Sequence, residues 1–302
     1  MTVSYGNSLL KSTNVRVYKK LSIWFAYLFF SVTWKISRPL AKHIVKVLFF
    51  KPQKYKLTER ENNMIKNARS FTFQSGDKTI QGYEWGKGPA IIFIHGWAGR
   101  GIQFLQYFDL LINAGYSVFT FDHVGHGDSE GQTSNYFEFS NAVISFMMFK
   151  KKLEIHAIVA HSLGASAVVN YLWQTGRKIK TILIAPALSL IDTLDQTFSR
   201  YGVPKAVFKS LIKEIETETG HEFEKENPAS LITMLDSDIL IVHDTHDKAI
   251  SYEDSWKISL LNDNIRLYST RGLGHIRILK DKALAREIIR KIQGLQPAIA
   301  GC

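Results

Sequence analysis

The chain has 302 residues, of which 45% are hydrophobic and 22% charged, and its formal net charge is +11. This composition is typical of a globular protein with one large core or two modest ones, and it excludes a collagen-like, repetitive or disordered chain. The single cysteine, Cys302, has no partner for an internal disulfide, which favours a reducing compartment such as the cytoplasm.

The positive charge is concentrated in the first quarter of the chain. Residues 1–70 contain fourteen Lys and Arg but only two acidic residues, whereas residues 71–302 contain twenty-four basic and twenty-five acidic residues. We therefore predict two parts: a basic, partly amphipathic helical extension over 1–70 and a nearly neutral domain over 71–302.

The most apolar segment is LSIWFAYLFFSVTW, residues 21–34, which lies between Lys19 and Lys20 on one side and Lys35 on the other. Its fourteen residues fall short of the roughly 20 that a membrane-spanning helix needs. A secretion signal is not expected, because no small-residue cleavage site follows the segment.

The next segment, KISRPLAKHIVKVLFFKP, is predicted to form a basic amphipathic helix. Its apolar and basic residues recur at helical spacing on separate faces: Ile36, Leu40, Ile44 and Leu48, and Lys35, Arg38, Lys42 and Lys46. Such a helix can lie at the surface of an anionic membrane, so residues 19–50 are a candidate for peripheral membrane contact. The alternative is that both apolar segments pack on the protein as additional helices. Nucleic acid is not an expected partner, because the basic residues are not interleaved with glycine or stacking aromatics.

From residue 71 onward, short apolar runs alternate with longer segments of helical periodicity. An antiparallel hairpin is predicted over residues 71–85, and six further strands over 90–94, 117–121, 156–160, 181–185, 238–242 and 264–269. Helices are predicted over 101–113, 136–149, 252–261 and 282–293 and directly after Ser162. This alternation predicts an α/β fold, with a mostly parallel eight-stranded sheet and helices on both faces.

Polar and titratable residues follow five of the predicted strands. The segments at these positions begin HGWAGR, DHVGHGDSEG, HSLGA, HDTHDKAI and TRGLGHIRIL. The carboxyl ends of parallel strands share one edge of the sheet, and this edge is where sites of α/β proteins concentrate. We therefore expect a functional site at this edge.

The segment AHSLGA, residues 160–165, predicts a nucleophilic serine. Ser162 follows a strand and precedes a helix, and its neighbours are small enough for a tight turn. The amide of Leu163, at the start of that helix, is placed to stabilise a developing oxyanion. A base and an orienting acid follow in the chain: His275 after the last strand, and Asp247 after the strand at 238–242.

These motifs resemble the α/β-hydrolase family from about Phe71 to the end of the chain. The family's G-x-S-x-G turn is present as A-H-S-L-G, with Ala160 in place of the first glycine. HGW at 95–97 resembles the family's oxyanion loop, which implies that the amide of Trp97 is the second oxyanion donor. HGWAGRG and GLGHIRIL also resemble motifs of a group of bacterial esterase- and lipase-like hydrolases.

The resemblance assigns the acid of the triad less directly. The family's strand followed by H-G-x-x-D falls on HDTHD, residues 243–247, where Asp244 occupies the glycine position. Asp247 is the predicted acid, and Asp244 is the alternative.

The implied activity is a serine hydrolase that cleaves a carboxylic ester or thioester through an acyl-enzyme on Ser162. Acyltransferase activity is an alternative within the enzymes. A hydrolase-like ligand receptor or membrane-associated interaction module is the alternative outside them. No cofactor and no metal are expected, since a serine triad needs neither and the histidines of HDTHD lack zinc-like spacing.

Residues 190–235 are predicted to form a small helical cap that governs substrate choice. Its apolar faces, with the basic N-terminal segment, favour a hydrophobic or lipid-like ester. The residues predicted to contact substrate are His95, His161, Phe198 and Phe208.

Overall fold

The computed structural model describes residues 22–295. Four residues that entered the sequence predictions, Lys19, Lys20, Leu21 and Cys302, lie outside the described residues. The described chain forms two compact units. The larger unit comprises residues 51–190 and 223–295, and the smaller unit comprises residues 22–50 and 191–222.

The larger unit contains the predicted eight-stranded, mostly parallel sheet. The strands are β1 (Arg69–Ser75), β2 (Lys78–Gly86), β3 (Ala90–Ile94), β4 (Ser117–Phe121), β5 (Ile155–His161), β6 (Thr181–Ile184), β7 (Ile239–Asp244) and β8 (Ile265–Thr270). Their order across the sheet is β1-β2-β4-β3-β5-β6-β7-β8. The pairs β1/β2 and β2/β4 are antiparallel, and every other neighbouring pair is parallel. The fold prediction is confirmed.

The helices also follow the predicted periodicities. They are α1 (residues 22–36), α2 (Arg38–Phe50), α3 (Glu59–Lys66), α4 (Leu105–Asn113), α5 (Tyr136–Phe149), α6 (Leu163–Thr175), α7 (Leu190–Arg200), α8 (Lys205–Thr219), α9 (Pro228–Leu231), α10 (Tyr252–Ser259), α11 (Gly274–Arg277) and α12 (Lys282–Ile292). Short 3-10 turns cover Gly101–Phe104, Ile232–Met234 and Ile278–Lys280.

The continuous apolar runs of the sequence form the central strands because both faces of the sheet are covered. All five residues of β3 and all five of β4 are buried. Helices pack in two groups, α4 with α12 and α5 with α6. Strands covered on both sides cannot alternate polar and apolar residues, which explains the unbroken runs.

The smaller unit contains α1, α2, α8 and most of α7, and α2 packs against α8. Lys42 forms an ion pair with Glu214, and Lys46 lies 2.8 Å from a carboxylate oxygen of Glu218. The predicted basic helix is interrupted at Ser37, so that Lys35 lies in α1 and Arg38, Lys42 and Lys46 in α2. Of these four residues, Lys42 and Lys46 are engaged with acidic residues of α8.

Aromatic packing adds to this unit. The Phe49 ring stacks on Phe198 at a centroid distance of 4.3 Å, and Phe198 also contacts Phe208 at 5.3 Å. Among residues 22–295, no helix has both the length and the apolar character needed to cross a bilayer.

Candidate active site

Ser162 occupies a strained turn between β5 and α6. Its φ of 53° and ψ of −123° lie in a region that L-residues rarely adopt, at a cost of about 1–3 kcal/mol. The turn is held because the Ser162 amide donates to the carbonyl of Ile184 at 3.0 Å, and the Ser162 carbonyl accepts from the amide of Ala165 at 3.0 Å. Ser162 itself is 6% exposed.

Two glycines allow other backbone segments to approach this turn. A Cβ on Gly164 would lie 2.2 Å from the carbonyl oxygen of His95, and a Cβ on Gly96 would lie 2.7 Å from the Cβ of Ser162. Both distances are below any normal contact, so only glycine fits at either position. The segment after β3 is thereby brought directly against the start of α6.

His275 lies within hydrogen-bonding distance of Ser162. It belongs to α11, which follows β8, and its Nε2 is 3.0 Å from the Oγ of Ser162. The backbone of His275 is held from the other side, since its carbonyl lies 3.0 Å from the Nε2 of His161. His275 is therefore held by contacts to its ring and by a contact to its main chain.

Asp247 is the carboxylate that contacts His275. The Nδ1–H of His275 donates to the Oδ2 of Asp247 at 2.7 Å, and the Oδ1 accepts from the amides of Ala249 and Ile250 at 2.8 and 3.0 Å. The Nε2 of buried His243 lies 3.3 Å from the same Oδ2. Burial acts to raise the pKa of Asp247, but the contacts with His243, His275 and the Ile250 amide outweigh it and hold the pKa well below its usual range.

Asp244, the alternative acid, is engaged elsewhere. Its carboxylate accepts hydrogen bonds from the hydroxyl of Thr270 and the amide of Leu273, both at 2.8 Å, and from the amides of His246 at 2.9 Å and Gly272 at 3.2 Å. Burial acts to raise the pKa of Asp244, yet these donors lower it to about 2. Asp244 thus fastens the loop that leads to His275, and it does not contact the imidazole.

Two backbone amides near Ser162 have no acceptor in the described part of the chain. They are the amides of Trp97 and Leu163, which the sequence motifs predict as oxyanion donors. The next amide along, that of Ala98, differs because it donates to the Nε2 of His126 at 3.1 Å. Ala98 has a φ of 53°, so His126 holds the loop in a strained conformation.

Four histidines at the ends of β3, β4 and β5 are buried: His95, His123, His126 and His161. Burial lowers the pKa of His95 to about 4 and that of His126 to about 3. His95 donates to the carbonyl of Gly96 at 2.7 Å and accepts from the amide of His123 at 2.9 Å. Burial also lowers the pKa of His161 well below its ordinary value.

The four residues predicted to contact substrate fall in two places. His95 and His161 lie in the larger unit, where His95 is fully buried with both ring nitrogens in hydrogen bonds. His161 borders a cavity of about 270 Å³ that is also lined by Trp97, Ala98, Ile276 and Lys280. Phe198 and Phe208 are buried in the smaller unit. Contact of these four with substrate stays a prediction.

Sequence reasoning missed several residues that organise the site. Gly96, His243 and the loop-fastening role of Asp244 were not assigned from the pattern, although the density of histidines at strand ends was a visible signal. Within residues 22–295, no group of three or more His, Cys, Asp and Glu side chains is arranged to hold a metal ion.

A family model described as serine aminopeptidase, S33, matches residues 88–225. A non-heme chloroperoxidase of Kitasatospora aureofaciens is 28% identical over 138 residues, which cover 45% of this chain and 50% of the relative. A lysophosphatidylserine lipase of Danio rerio is 35% identical over 86 residues, which cover 27% of this chain and 22% of the relative. The chain spans about half, or less, of the length of the curated relatives it matches.

Among solved structures, an esterase from Exiguobacterium antarcticum superimposes with a TM-score of 0.57 at 16% identity. The superposition covers 74% of this chain and 100% of the esterase. At this identity the likeness shows a shared fold.

Proposed function

We propose that the chain is a serine hydrolase of the α/β-hydrolase superfamily that cleaves carboxylic esters through an acyl-enzyme on Ser162. The observation that carries the proposal is the chain of hydrogen bonds from Ser162 to His275 (3.0 Å) and from His275 to Asp247 (2.7 Å). The similarity to a lysophosphatidylserine lipase supports an ester as the scissile group.

In the proposed mechanism, His275 acts first as a base. Its Nε2 takes the proton of the Ser162 hydroxyl while the oxygen attacks the carbonyl carbon of the ester. The Nδ1–H bond to Asp247 fixes the tautomer that leaves Nε2 free to accept, and the carboxylate stabilises the imidazolium that forms. His275 then gives the proton to the departing alcohol. Water, activated by the same nitrogen, releases the acid and restores Ser162.

The tetrahedral intermediates carry a negative charge on the former carbonyl oxygen. The amides of Trp97 and Leu163 are the proposed donors to this oxygen, and they need no reorganisation because each is set by a strained or close-packed turn. Removing one such donor typically costs about 10²–10³ in rate.

The proposed substrate is a hydrophobic or lipid-like ester. The cavity next to Trp97 and His161 presents Ile276 and Leu279 together with Lys280, a lining that suits an apolar chain with a polar end. A thioester or an amide is open to the same attack, and an alcohol could replace water in the second step. Turnover of matched ester, thioester and amide substrates separates these reactions.

The test is hydrolysis of p-nitrophenyl esters of increasing acyl length by the full chain. We expect Ser162→Ala to lower kcat by at least about 10⁴-fold, with folding checked by circular dichroism. The matched control is Ser134→Ala, which removes a buried hydroxyl that has no hydrogen-bond partner in the described part of the chain and should leave kcat within about twofold. Equal turnover by Ser162→Ala and the original protein, or no turnover of any ester or thioester by folded protein, would contradict the proposal. The second result would favour a ligand receptor.

A further inference from the structure

α1 carries large apolar side chains that remain in contact with water. They lie between 44% and 79% exposed: Trp24, Phe25, Tyr27, Leu28, Phe29, Val32 and Ile36. A protein that stays monomeric in water rarely exposes so many large apolar residues together.

Six of the seven exposed residues share one side of the helix, and the seventh, Tyr27, lies on the side that contacts Gly202. Positions 24, 28, 32 and 36 recur every four residues, and 25 and 29 lie beside them, so that together they form a broad outward stripe. Phe30, on the opposite side, is 5% exposed within the smaller unit. α1 therefore has two apolar faces, of which one is covered and the other is not.

The covered face is held in place. A Cβ on Gly202, in the turn between α7 and α8, would lie 2.5 Å from the carbonyl oxygen of Ile23, so the two backbones are in direct contact. The outward stripe is consequently presented by a helix that is already anchored in its unit.

The charges that flank the stripe along the chain have one sign. Residues 22–58 contain no Asp or Glu. Lys35 lies in the last turn of α1 and Arg38 at the start of α2. Neither has an ion-pair partner among residues 22–295, and Arg38 lies 5.3 Å from the ring of Trp34. Lys42 and Lys46 differ, because Glu214 and Glu218 engage them. A protein partner would be expected to meet a rim of mixed charge, whereas an anionic lipid surface complements an apolar stripe whose chain neighbours are cations only.

We propose that the outward stripe of α1 docks the protein on an anionic membrane surface, with Trp24, Phe25 and Phe29 entering the interface and Lys35 and Arg38 contacting lipid headgroups. The sequence pattern pointed to residues 19–50 for this role. In the structure two lysines of α2 are engaged by α8, and α2 exposes Leu40, Val47 and Leu48, so the larger exposed apolar group belongs to α1. This docking is independent of the proposed hydrolase activity, because none of these residues belongs to the candidate active site.

The first test is co-sedimentation of the full chain with vesicles of phosphatidylcholine and phosphatidylglycerol in a two-to-one ratio. We expect Phe25→Glu with Phe29→Glu to lower the partition coefficient by at least about tenfold, because both rings are removed and two negative charges are introduced that an anionic surface repels. The matched control is Leu260→Glu with Leu261→Glu, two residues of the larger unit that are 67% and 68% exposed, and it should bind as the original protein does. Equal sedimentation of the Phe25/Phe29 variant and the original protein, or no sedimentation of either, would overturn the proposal.

A charge variant tests the second element of the proposal. Lys35→Gln with Arg38→Gln should weaken binding to these vesicles by about fivefold per charge removed, and it should leave binding to pure phosphatidylcholine unchanged. Equal losses on both vesicle types would overturn the assignment of these two cations to anionic headgroups.

Two further measurements keep the proposal falsifiable if the glutamate variant does not fold. Lipids brominated on the acyl chain should quench part of the tryptophan fluorescence, and Trp24→Phe should abolish that part; quenching unaffected by Trp24→Phe would contradict insertion at α1. Sedimentation velocity without vesicles gives the oligomeric state. The original protein could form a dimer that Phe25→Glu with Phe29→Glu dissociates, and at the same time fail to bind vesicles. That result would overturn the proposed membrane docking and identify a second copy of this chain as the partner of the stripe.

Discussion

The edge of the sheet around Ser162 and the outward stripe of α1 depart in opposite ways from the rule that apolar groups are buried and polar groups face water. At the sheet edge, the carboxylates of Asp244 and Asp247 are inaccessible to water and both accept several hydrogen bonds, four of them on Asp244. On α1, aromatic and aliphatic side chains face water. Both departures cost stability, and such costs are expected where a protein has a function to perform.

The two regions also differ in what holds them. The sheet edge is fixed by long-range hydrogen bonds and close backbone contacts, so that single substitutions there should have large effects on rate or stability. The outward stripe makes few contacts within its own unit, so substitutions there should change binding and leave stability almost unaffected. Each of the following predictions probes one side of this contrast.

The largest effect is expected at Asp247. Asp247→Asn removes the charge that stabilises the imidazolium and permits the wrong tautomer of His275, so we expect kcat for p-nitrophenyl esters to fall by about 10⁴-fold. Asp244→Asn should lower kcat by only about tenfold, because Asp244 fastens the loop and does not touch the imidazole. The reverse ranking of the two variants would identify Asp244 as the acid.

A large effect on stability is expected at Gly164. Gly164→Ala forces the backbone at His95 to move, and we expect it to cost about 3 kcal/mol in the free energy of unfolding and to displace the amide of Trp97. Gly176→Ala, at the other end of α6, places its Cβ in open space and should cost about 1 kcal/mol through its positive φ alone. Urea denaturation measures both, and equal costs would show that the contact with His95 is not close.

Acid should destabilise the larger unit through its buried histidines. The pKa of His126 is about 3 in the folded state, below the ordinary value of 6.5, so the unfolded chain takes up a proton first as the pH falls. This contribution to stability is complete above pH 6.5 and is lost progressively as the pH falls from 6.5 towards 3.

The loss from His126 amounts to about 1.4 kcal/mol for each pH unit within this window. His126→Gln keeps an oxygen that can accept from the amide of Ala98 but has no titrating group. Urea denaturation at pH 5.5 and 4.5 should therefore show a shallower pH dependence for the variant by about this amount. An unchanged slope would mean that His126 is protonated in the folded protein.

The smallest effect on stability is expected on α1. Phe25→Ser and Phe29→Ser should each change the free energy of unfolding by less than about 0.5 kcal/mol, because their rings are already largely in water. Phe30→Ala, on the covered side, should cost about 3 kcal/mol. Thermal denaturation of the three variants tests this, and a large loss at Phe25 or Phe29 would show that the stripe is packed against protein.

The sequence predicted the fold well because local signals were strong. Unbroken apolar runs such as residues 90–94 and 117–121 are typical of strands covered on both faces, and those runs form β3 and β4 with every residue buried. Motif order also placed Ser162, His275 and Asp247 in one candidate site, where His275 lies 3.0 Å from Ser162 and 2.7 Å from Asp247.

What the sequence could not supply are contacts between distant segments. His126 supports the amide of Ala98 across 28 residues, and no local pattern specifies that pairing. Lys42 and Glu214 are separated by 172 residues, so the periodicity of α2 alone could not show that its basic face is engaged. The exposed stripe of α1 was visible only as an apolar run, because burial of one face against Gly202 and exposure of the other depend on packing.

The central claim, that Ser162 is the nucleophile, is tested most directly by the site of covalent modification. The full chain is treated with a fluorophosphonate and digested, and the labelled peptide is sequenced by mass spectrometry. The account predicts one phosphonylated residue, Ser162, and a sharply slower reaction in His275→Ala. Labelling of a different serine, or none in folded protein that still hydrolyses esters, would contradict it.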